Sequence, residues 1–300
     1  MQTKRHLAQA AIAGFCSLSS LLAHAQMAQP DMGKLTATGG VSQIEGAGGG
    51  GITPWALITG YGSRDSYGAN AHYTQVSTQD YTLKTYGVAI GIADRVELSL
   101  ANQEFSGSLA PLNSLKIKQD ILGIKVKVAG DAVVDQDSWM PQIAVGAMIK
   151  RNNGIGGLGA LGVTNVKQLG AKDDRGVDYY ASATKIYLDQ SLLLNATLRL
   201  SKANQMGILG FGGDKKDRYE PLLEGSAAYL INRKLAVGVE YRMKPRNLGV
   251  DNEKDYYDAF VAWFPSKNLS VTAAYATLGD ITIFNPKNQR GWYLSVQAGF

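Results

Sequence analysis

Side chains of opposite character alternate along most of this chain, with the two-residue period that an extended strand imposes. The pattern is clearest at the C-terminus, in residues 291–300. One face of that segment is apolar and carries Trp292, Leu294, Val296, Ala298 and Phe300. The opposite face is small or polar and carries Tyr293, Ser295, Gln297 and Gly299. A fold for this chain must therefore contain sheets with two different faces.

The same alternation recurs in about twelve segments and predicts an all-β fold. The segments are roughly 54–62, 80–92, 95–107, 114–129, 137–152, 176–188, 191–203, 219–230, 233–246, 254–265, 267–278 and 290–300. Short and long connections alternate between them, and an even strand count leaves both termini on the periplasmic side, as in outer-membrane barrels. We therefore predict a single antiparallel transmembrane β-barrel over residues 53–300.

A soluble β-sandwich would also alternate, but its outward face meets water and carries long charged side chains. Here the less apolar face often carries Gly, Ala, Ser and Thr beside its charges, which suits a crowded polar lumen. Strands of about 9 to 14 residues are long enough to cross a bilayer at a tilt, whereas sandwich strands are usually shorter. The comparison favours the membrane barrel.

The N-terminus has the features of a secretory signal peptide over residues 1–25. Lys4 and Arg5 precede a mostly apolar stretch, and Ala23-His24-Ala25 offers small residues at the cleavage site. The one cysteine, Cys16, leaves with the signal, so no disulfide is expected. The formal charge is +5, to which Lys4 and Arg5 contribute two. The small remainder predicts no nucleic-acid partner.

Residues 26–52 are rich in glycine and show no good strand pattern. One interpretation is a disordered periplasmic leader. The other is a plug that folds into the barrel lumen, with Ile44 and Glu45 as plug candidates, because glycine lets backbone pack closely. Both interpretations stay open at the level of sequence.

Charged residues on the less apolar faces are candidates for lining the lumen. They are Lys116, Lys118, Asp120, Lys150, Asp178, Arg199, Glu224, Lys234, Glu240, Arg242, Lys244 and Asp258. Glu97, Lys125 and Lys127 join them, which makes nine basic and six acidic residues. Charged groups inside a protein must be paired with opposite charges or hydrated by water. The set therefore indicates either a self-neutralising network in a closed barrel or a water-filled path with mild anion preference.

One segment breaks the alternation. Lys116, Lys118 and Asp120 are out of phase with Lys125 and Lys127. We predict a β-bulge near Leu122-Gly123, where one extra residue would reset the face. The alternative is a strand that extends past the membrane and leaves Lys125 and Lys127 near the interface.

Signals for catalysis are weak. Residues 154–159 match the glycine pattern of dinucleotide-binding loops, but no helical period follows. His72 lies in a predicted loop without the serine and acid motif of a hydrolase. No cluster has metal-ligand spacing. We therefore predict no cofactor and no enzymatic activity, and an outer-membrane hydrolase is the least favoured function.

The C-terminal Phe300 resembles the last residue of bacterial outer-membrane barrels, and the resemblance implies an assembly signal. Near the N-terminus, the stretches GKLTATGGV (33–41), IEGAGGGG (44–51) and TPWA (53–56) resemble the opening of an uncharacterised proteobacterial family, domain of unknown function 3034. That resemblance implies an outer-membrane barrel and supplies no activity, ligand or catalytic residues.

The leading expectation is a narrow outer-membrane channel or facilitator for small solutes, exported by a cleaved signal peptide. The alternative is a closed structural or interaction barrel whose loops bind a ligand or a partner. The expected partners are outer-membrane lipid and lipopolysaccharide, the barrel-assembly machinery and small solutes.

Overall fold

The computed structural model of the protein describes residues 31–108, 112–159, 162–251, 253–281 and 287–300. The predicted signal peptide, residues 1–25, lies outside these ranges. Within them, no helix is long and apolar enough to cross a membrane. The helical elements described are short 3-10 turns at Leu112–Ser114, Val166–Leu169 and Asn204–Gly207.

Two very short strands, β1 (Val41–Ser42) and β2 (Gly48–Gly49), pair with each other and stand apart from the main sheet. The main sheet has twelve strands: β3 (Tyr67–Thr78), β4 (Tyr81–Ile92), β5 (Val96–Gly107), β6 (Lys116–Ala129), β7 (Gln142–Gly156), β8 (Arg175–Tyr187), β9 (Leu192–Ser201), β10 (Glu220–Asn232), β11 (Leu235–Arg242), β12 (Glu253–Ser266), β13 (Leu269–Gly279) and β14 (Gln289–Gly299). Each pairs antiparallel with its sequence neighbours, and β14 pairs with β3 to close the barrel. The predicted all-β barrel of about twelve strands is confirmed.

The predicted strand at 54–62 is wrong. The first strand of the barrel is β3, which lies in the stretch predicted to be a long loop, and the connection from β3 to β4 is only residues 79–80. Residues 54–62 are buried at every position, so neither face of this stretch meets solvent or lipid. The apolar residues of this stretch pack inside the barrel and do not form the lipid-facing side of a strand.

The predicted bulge near Leu122-Gly123 is also wrong. The register between β5 and β6 runs unbroken from Val96 opposite Val126 to Ser106 opposite Lys116. Lys125 points inward and is buried, while Lys116, Lys118 and Asp120 point outward and are exposed. Beyond the edge of the membrane the outward face of β6 no longer contacts lipid. Charged side chains can therefore point outward there, and the alternation needs no bulge to turn them inward.

The outer surface of the barrel carries a broad apolar belt. Exposed outward residues include Leu100, Ile149, Leu223, Tyr257 and Trp292. Exposing this much apolar surface to water would be unfavourable, whereas lipid solvates it. The closed ring also satisfies every strand edge, which a membrane requires. The fold is therefore a transmembrane β-barrel of the outer-membrane type.

Candidate functional site

A continuous stretch of chain, residues 38–62, fills the barrel interior and is buried at every position. We call it the lumen segment. It folds into a small hairpin through β1 and β2, in which Val41 lies opposite Gly49 and Ser42 opposite Gly48. Glycine is required where the backbone of the segment folds back on itself, because a Cβ on Gly49 would lie 2.4 Å from the carbonyl oxygen of Thr53.

Glu45 of the lumen segment lies at the centre of a group of cations from the barrel wall. Its carboxylate pairs with Lys150 of β7, and it accepts a hydrogen bond from Nη1 of Arg242 of β11 at 2.7 Å. Nη1 of Arg199, from β9, lies 3.5 Å from the same carboxylate. A fully buried carboxylate is stable only with such partners, so three wall strands hold this one side chain.

Two wall carboxylates complete the group. Asp178 of β8 lies 2.5 Å from Lys150 Nζ and 3.3 Å from Arg199 Nη1. Glu224 of β10 lies 2.5 Å from Arg199 Nε and 3.4 Å from Arg242 Nε. We call Glu45, Lys150, Asp178, Arg199, Glu224 and Arg242 the central ion network. Three cations face three carboxylates, so the network is neutral only while Glu45 is present.

Glu240 of β11 binds the backbone of the lumen segment directly. Its carboxylate accepts hydrogen bonds from the amides of Gly51 at 2.6 Å and Ile52 at 2.9 Å. The hydroxyls of Thr53 and Ser226 donate to the same group at 2.6 Å and 2.8 Å. One wall carboxylate therefore satisfies four donors around the turn of the segment.

Glu97 of β5 and Lys125 of β6 form a second attachment on the opposite wall, with the two charged groups 2.9 Å apart. Glu97 accepts hydrogen bonds from the amides of Gly48 and Thr59, both at 2.8 Å. Lys125 donates to the carbonyl oxygens of Gly48 at 2.8 Å and Trp55 at 3.2 Å. Ionisable residues on opposite walls thus hold β2 and the chain that follows it.

Little free volume remains between the segment and the wall. A cavity beside Trp55, Leu193 and Phe260 has a volume of about 30 Å³, room for about one or two water molecules. A larger cavity of about 250 Å³ opens at the periplasmic mouth, beside Lys34, Asp94 and Asp131. The described state of the barrel is therefore closed around the lumen segment.

The predicted lumen residues fall into two groups. Eight lie on the inner side of the wall and are buried: Lys150, Asp178, Arg199, Glu224, Glu240, Arg242, Lys244 and Asp258. Of these, Lys244 pairs with Glu253 at 2.5 Å. The two plug candidates, Ile44 and Glu45, lie in the lumen segment and are buried.

The other four do not line the lumen. Lys116, Lys118 and Asp120 are exposed on the outer face of β6. Lys234 is exposed in the two-residue turn between β10 and β11, where side chains meet water rather than the barrel interior. Phe300, the predicted assembly signal, follows β14. Its carbonyl oxygen accepts hydrogen bonds from the amides of Tyr61 and Ala69 at 3.1 Å and 3.0 Å.

Sequence reasoning missed several uncharged residues that hold the segment. Gln142 donates to the carbonyl oxygen of Ala56 at 2.7 Å, and Thr184 accepts from the Ala56 amide at 2.8 Å. Thr197 donates to the carbonyl oxygen of Pro54 at 2.9 Å. All three side chains lie on the inward face of their strands. The two-residue alternation therefore predicts their direction, as it does for the charged residues.

His72 lies on the inward face of β3 rather than in a loop, and it is buried. Neither of its ring nitrogens has a hydrogen-bond partner in the described part of the chain. A hydrolytic histidine needs a serine or an acid within hydrogen-bond reach, and no such pair forms within those ranges.

The chain is similar to several solved structures of outer-membrane proteins. The NanC porin is 9% identical over 77% of this chain and 98% of its own, with a TM-score of 0.51. The KdgM porin is 9% identical over 77% of this chain and 99% of its own, with a TM-score of 0.47. Outer membrane phospholipase A from Escherichia coli is 7% identical over 77% and 95%, with a TM-score of 0.39. At such low identity the first of these likenesses shows the fold, an outer-membrane β-barrel, and nothing finer.

No curated protein matches the sequence. One family profile does, over residues 38–297, a range that begins at the first residue of the lumen segment and runs through the barrel wall to β14. The segment and the wall are therefore features of one family, and this chain belongs to the family described as "Protein of unknown function (DUF3034)".

Proposed function

We propose that this outer-membrane barrel is a narrow channel for small solutes, closed by the lumen segment and opened when the segment is displaced. The observation that carries the proposal is the kind of contact that holds the segment. Many of its attachments are ion pairs and hydrogen bonds to ionisable wall residues, such as Glu97, Lys125 and Glu240. Water can replace these polar contacts when the segment leaves, whereas the apolar packing of Val41, Trp55 and Leu57 opposes its departure.

Displacement of the segment would leave a polar passage. Six cations and six carboxylates point inward from the wall: Lys125, Lys127, Lys150, Arg199, Arg242, Lys244, Glu97, Asp178, Glu224, Glu240, Glu253 and Asp258. The excess of nine basic over six acidic residues expected from the sequence does not hold, because Lys116, Lys118 and Lys234 lie outside the lumen. Anion preference cannot come from the total charge.

The central ion network still supports a mild anion preference. Without Glu45, its cations Lys150, Arg199 and Arg242 would face only Asp178 and Glu224, one net positive charge across the middle of the lumen. Charges at a constriction dominate selectivity. The preference would weaken as salt screens the charge.

Glu45 is the residue on which opening depends. Breaking a buried ion pair by removing one partner costs about 3–5 kcal/mol, and here the loss applies only while the segment is seated. Replacing Glu45 with glutamine therefore favours displacement.

The test is conductance of the purified full chain in a planar bilayer. We expect rare openings for the full chain, frequent openings for Glu45→Gln, and lasting conductance with mild anion preference after deletion of residues 38–59. Glu104→Gln is the matched control, because Glu104 pairs with Lys118 on the outer surface at 3.3 Å and does not touch the segment. It should behave as the full chain does.

A second candidate function is a closed interaction barrel whose loops bind a partner. The filled interior favours it, and so does the length of the extracellular connections 157–174 and 202–219. If the deletion variant forms a folded barrel and does not conduct, the channel proposal fails and the interaction barrel replaces it. We infer a non-enzymatic role in both cases, which the isolated position of His72 supports.

A further inference from the structure

A group of cations lies outside the barrel, on one side of its extracellular rim. Lys84 of β4, Lys116 and Lys118 of β6, Arg151 of β7 and Arg175 of β8 all point outward and are exposed. Phe300 and the first described residue, Asp31, lie at the opposite rim, which is periplasmic. We call these five residues the basic patch.

Strand register fixes the height of the patch. Glu104 pairs with both Lys84 and Lys118, and Arg151 pairs with Asp120 and Arg175. Further along the strands, towards the periplasm, the outward side chains are apolar and exposed. Leu122 and Ile149 lie two residues from Asp120 and Arg151, and Val88 and Leu100 lie four residues from Lys84 and Glu104. The patch therefore sits directly above the lipid-facing belt, at the level of headgroups in the outer leaflet.

Neighbouring carboxylates neutralise only part of the patch, and one of them, Asp174, lies 3.6 Å from Arg175 Nε. Glu104 is 3.3 Å from Lys118. Asp120 accepts hydrogen bonds from the side-chain amides of Asn102 at 2.6 Å and Asn153 at 2.7 Å. Within the described ranges Lys84, Lys116 and Arg151 form no ion pair. These three remain available to an external anion.

We infer that the basic patch binds the phosphate groups of a phosphorylated glycolipid of the outer leaflet, the chemistry of lipopolysaccharide. Guanidinium and ammonium groups form strong charge-assisted hydrogen bonds to phosphate. The apolar belt immediately below would contact the acyl chains of the same molecule. A ligand with phosphates and acyl chains fits both surfaces, whereas free phosphate fits only the first.

The test is a titration of the purified full chain in detergent with fluorescent lipopolysaccharide, in the presence of a divalent-cation chelator. The double variant Lys116→Gln/Arg151→Gln should lose about tenfold or more in affinity, because it removes two charge-assisted contacts. Its matched control is Arg233→Gln/Lys234→Gln, which removes one lysine and one arginine from an exposed periplasmic turn. The control should bind as the unmodified chain does.

Two further arms identify the ligand chemistry. Dephosphorylated lipopolysaccharide should bind as weakly to the unmodified chain as the intact lipid binds to the double variant. Inorganic phosphate should fail to displace the bound lipid. Equal binding of the dephosphorylated lipid, displacement by phosphate alone, or equal losses in the two double variants would each overturn the proposal. Lys84→Gln provides an independent variant, and a further loss of affinity in it is expected.

Discussion

At the scale of single residues, the tightest fit in the lumen is at Gly50. A Cβ at this position would lie 2.0 Å from Oε1 of Glu240. That oxygen is not free to move, because it accepts hydrogen bonds from the hydroxyls of Thr53 and Ser226. The glycine is therefore needed for space rather than for an unusual backbone conformation.

Gly50→Ala should unseat the lumen segment without disturbing the wall. Displacing Glu240 would lose hydrogen bonds to a charged group, at about 1.5–3 kcal/mol each. We expect faster protease cleavage within residues 38–62 of the detergent-solubilised barrel. Gly159→Ala is the control, since a Cβ there has no atom within 4 Å. Equal cleavage rates in the two variants would contradict the steric argument.

Asp251 should make the packing of the extracellular loops depend on pH. Burial, together with the neighbouring Glu253, raises the pKa of Asp251 to about 9, although a hydrogen bond from Gln205 opposes the rise. A raised carboxyl pKa means that the folded state binds the proton more tightly than the unfolded state does. The stabilisation is complete below about pH 4, near the unfolded pKa, and is lost as pH rises through about 9.

Asp251→Asn should remove this dependence, because an amide cannot ionise. We expect hydrogen exchange in residues 243–251 to accelerate between about pH 7 and pH 10 in the unmodified chain, after correction for the intrinsic pH dependence of exchange. The variant should show little acceleration over the same range. A parallel acceleration in both proteins would exclude Asp251 as the titrating group.

The inward direction of Arg199 and Arg242 follows from the sequence alone, because a strand with one lipid face leaves only one face for charge. The outward direction of Lys116, Lys118 and Asp120 does not, since above the lipid belt either face tolerates charge. The ion-pair partners of the inward charges could not be predicted from the sequence either. Glu45 lies in a glycine-rich stretch without hydrophobic periodicity, so the sequence does not predict the path of this stretch through the lumen.

At the scale of elements, the seam between β14 and β3 joins the two ends of the barrel. The backbone of Phe300 extends this seam by exchanging hydrogen bonds with Ala69, and its ring packs edge-on against Tyr67 at 6.0 Å. β3 itself was hard to predict. Its outward face includes Ala69, Ala71 and Gln75, which is less apolar than the buried stretch at 54–62.

Phe300→Ala should lower the amount of folded barrel in the outer membrane while leaving export intact. The substitution keeps the backbone bonds of the seam and removes only the ring that the assembly machinery is proposed to recognise. Trp292→Ala is the control, because Trp292 is also an exposed outward aromatic residue of β14. The recognition role fails if the two variants accumulate to the same level.

At the scale of the whole molecule, closure of twelve strands leaves the barrel sheet without a free edge. A closed barrel resists unfolding by detergent, since every strand must separate from two neighbours at once. Unboiled protein should therefore migrate differently from boiled protein on a denaturing gel. It should also fractionate with outer membranes, and identical migration combined with a soluble periplasmic location would contradict the membrane fold.

The contacts of the lumen segment also determine when it can fold. Ser42 donates to Gln297 at 2.8 Å across 255 positions of sequence, and Tyr61 donates to Phe300. Contacts between such distant positions form late, because the intervening chain must be ordered first. The segment is made early and precedes every wall strand, yet it cannot reach these partners until β14 has arrived beside β3. Closure of the barrel and the filling of its lumen are therefore coupled steps. In the newly made chain the lumen segment cannot take its final place until the last strand, β14, has paired with β3.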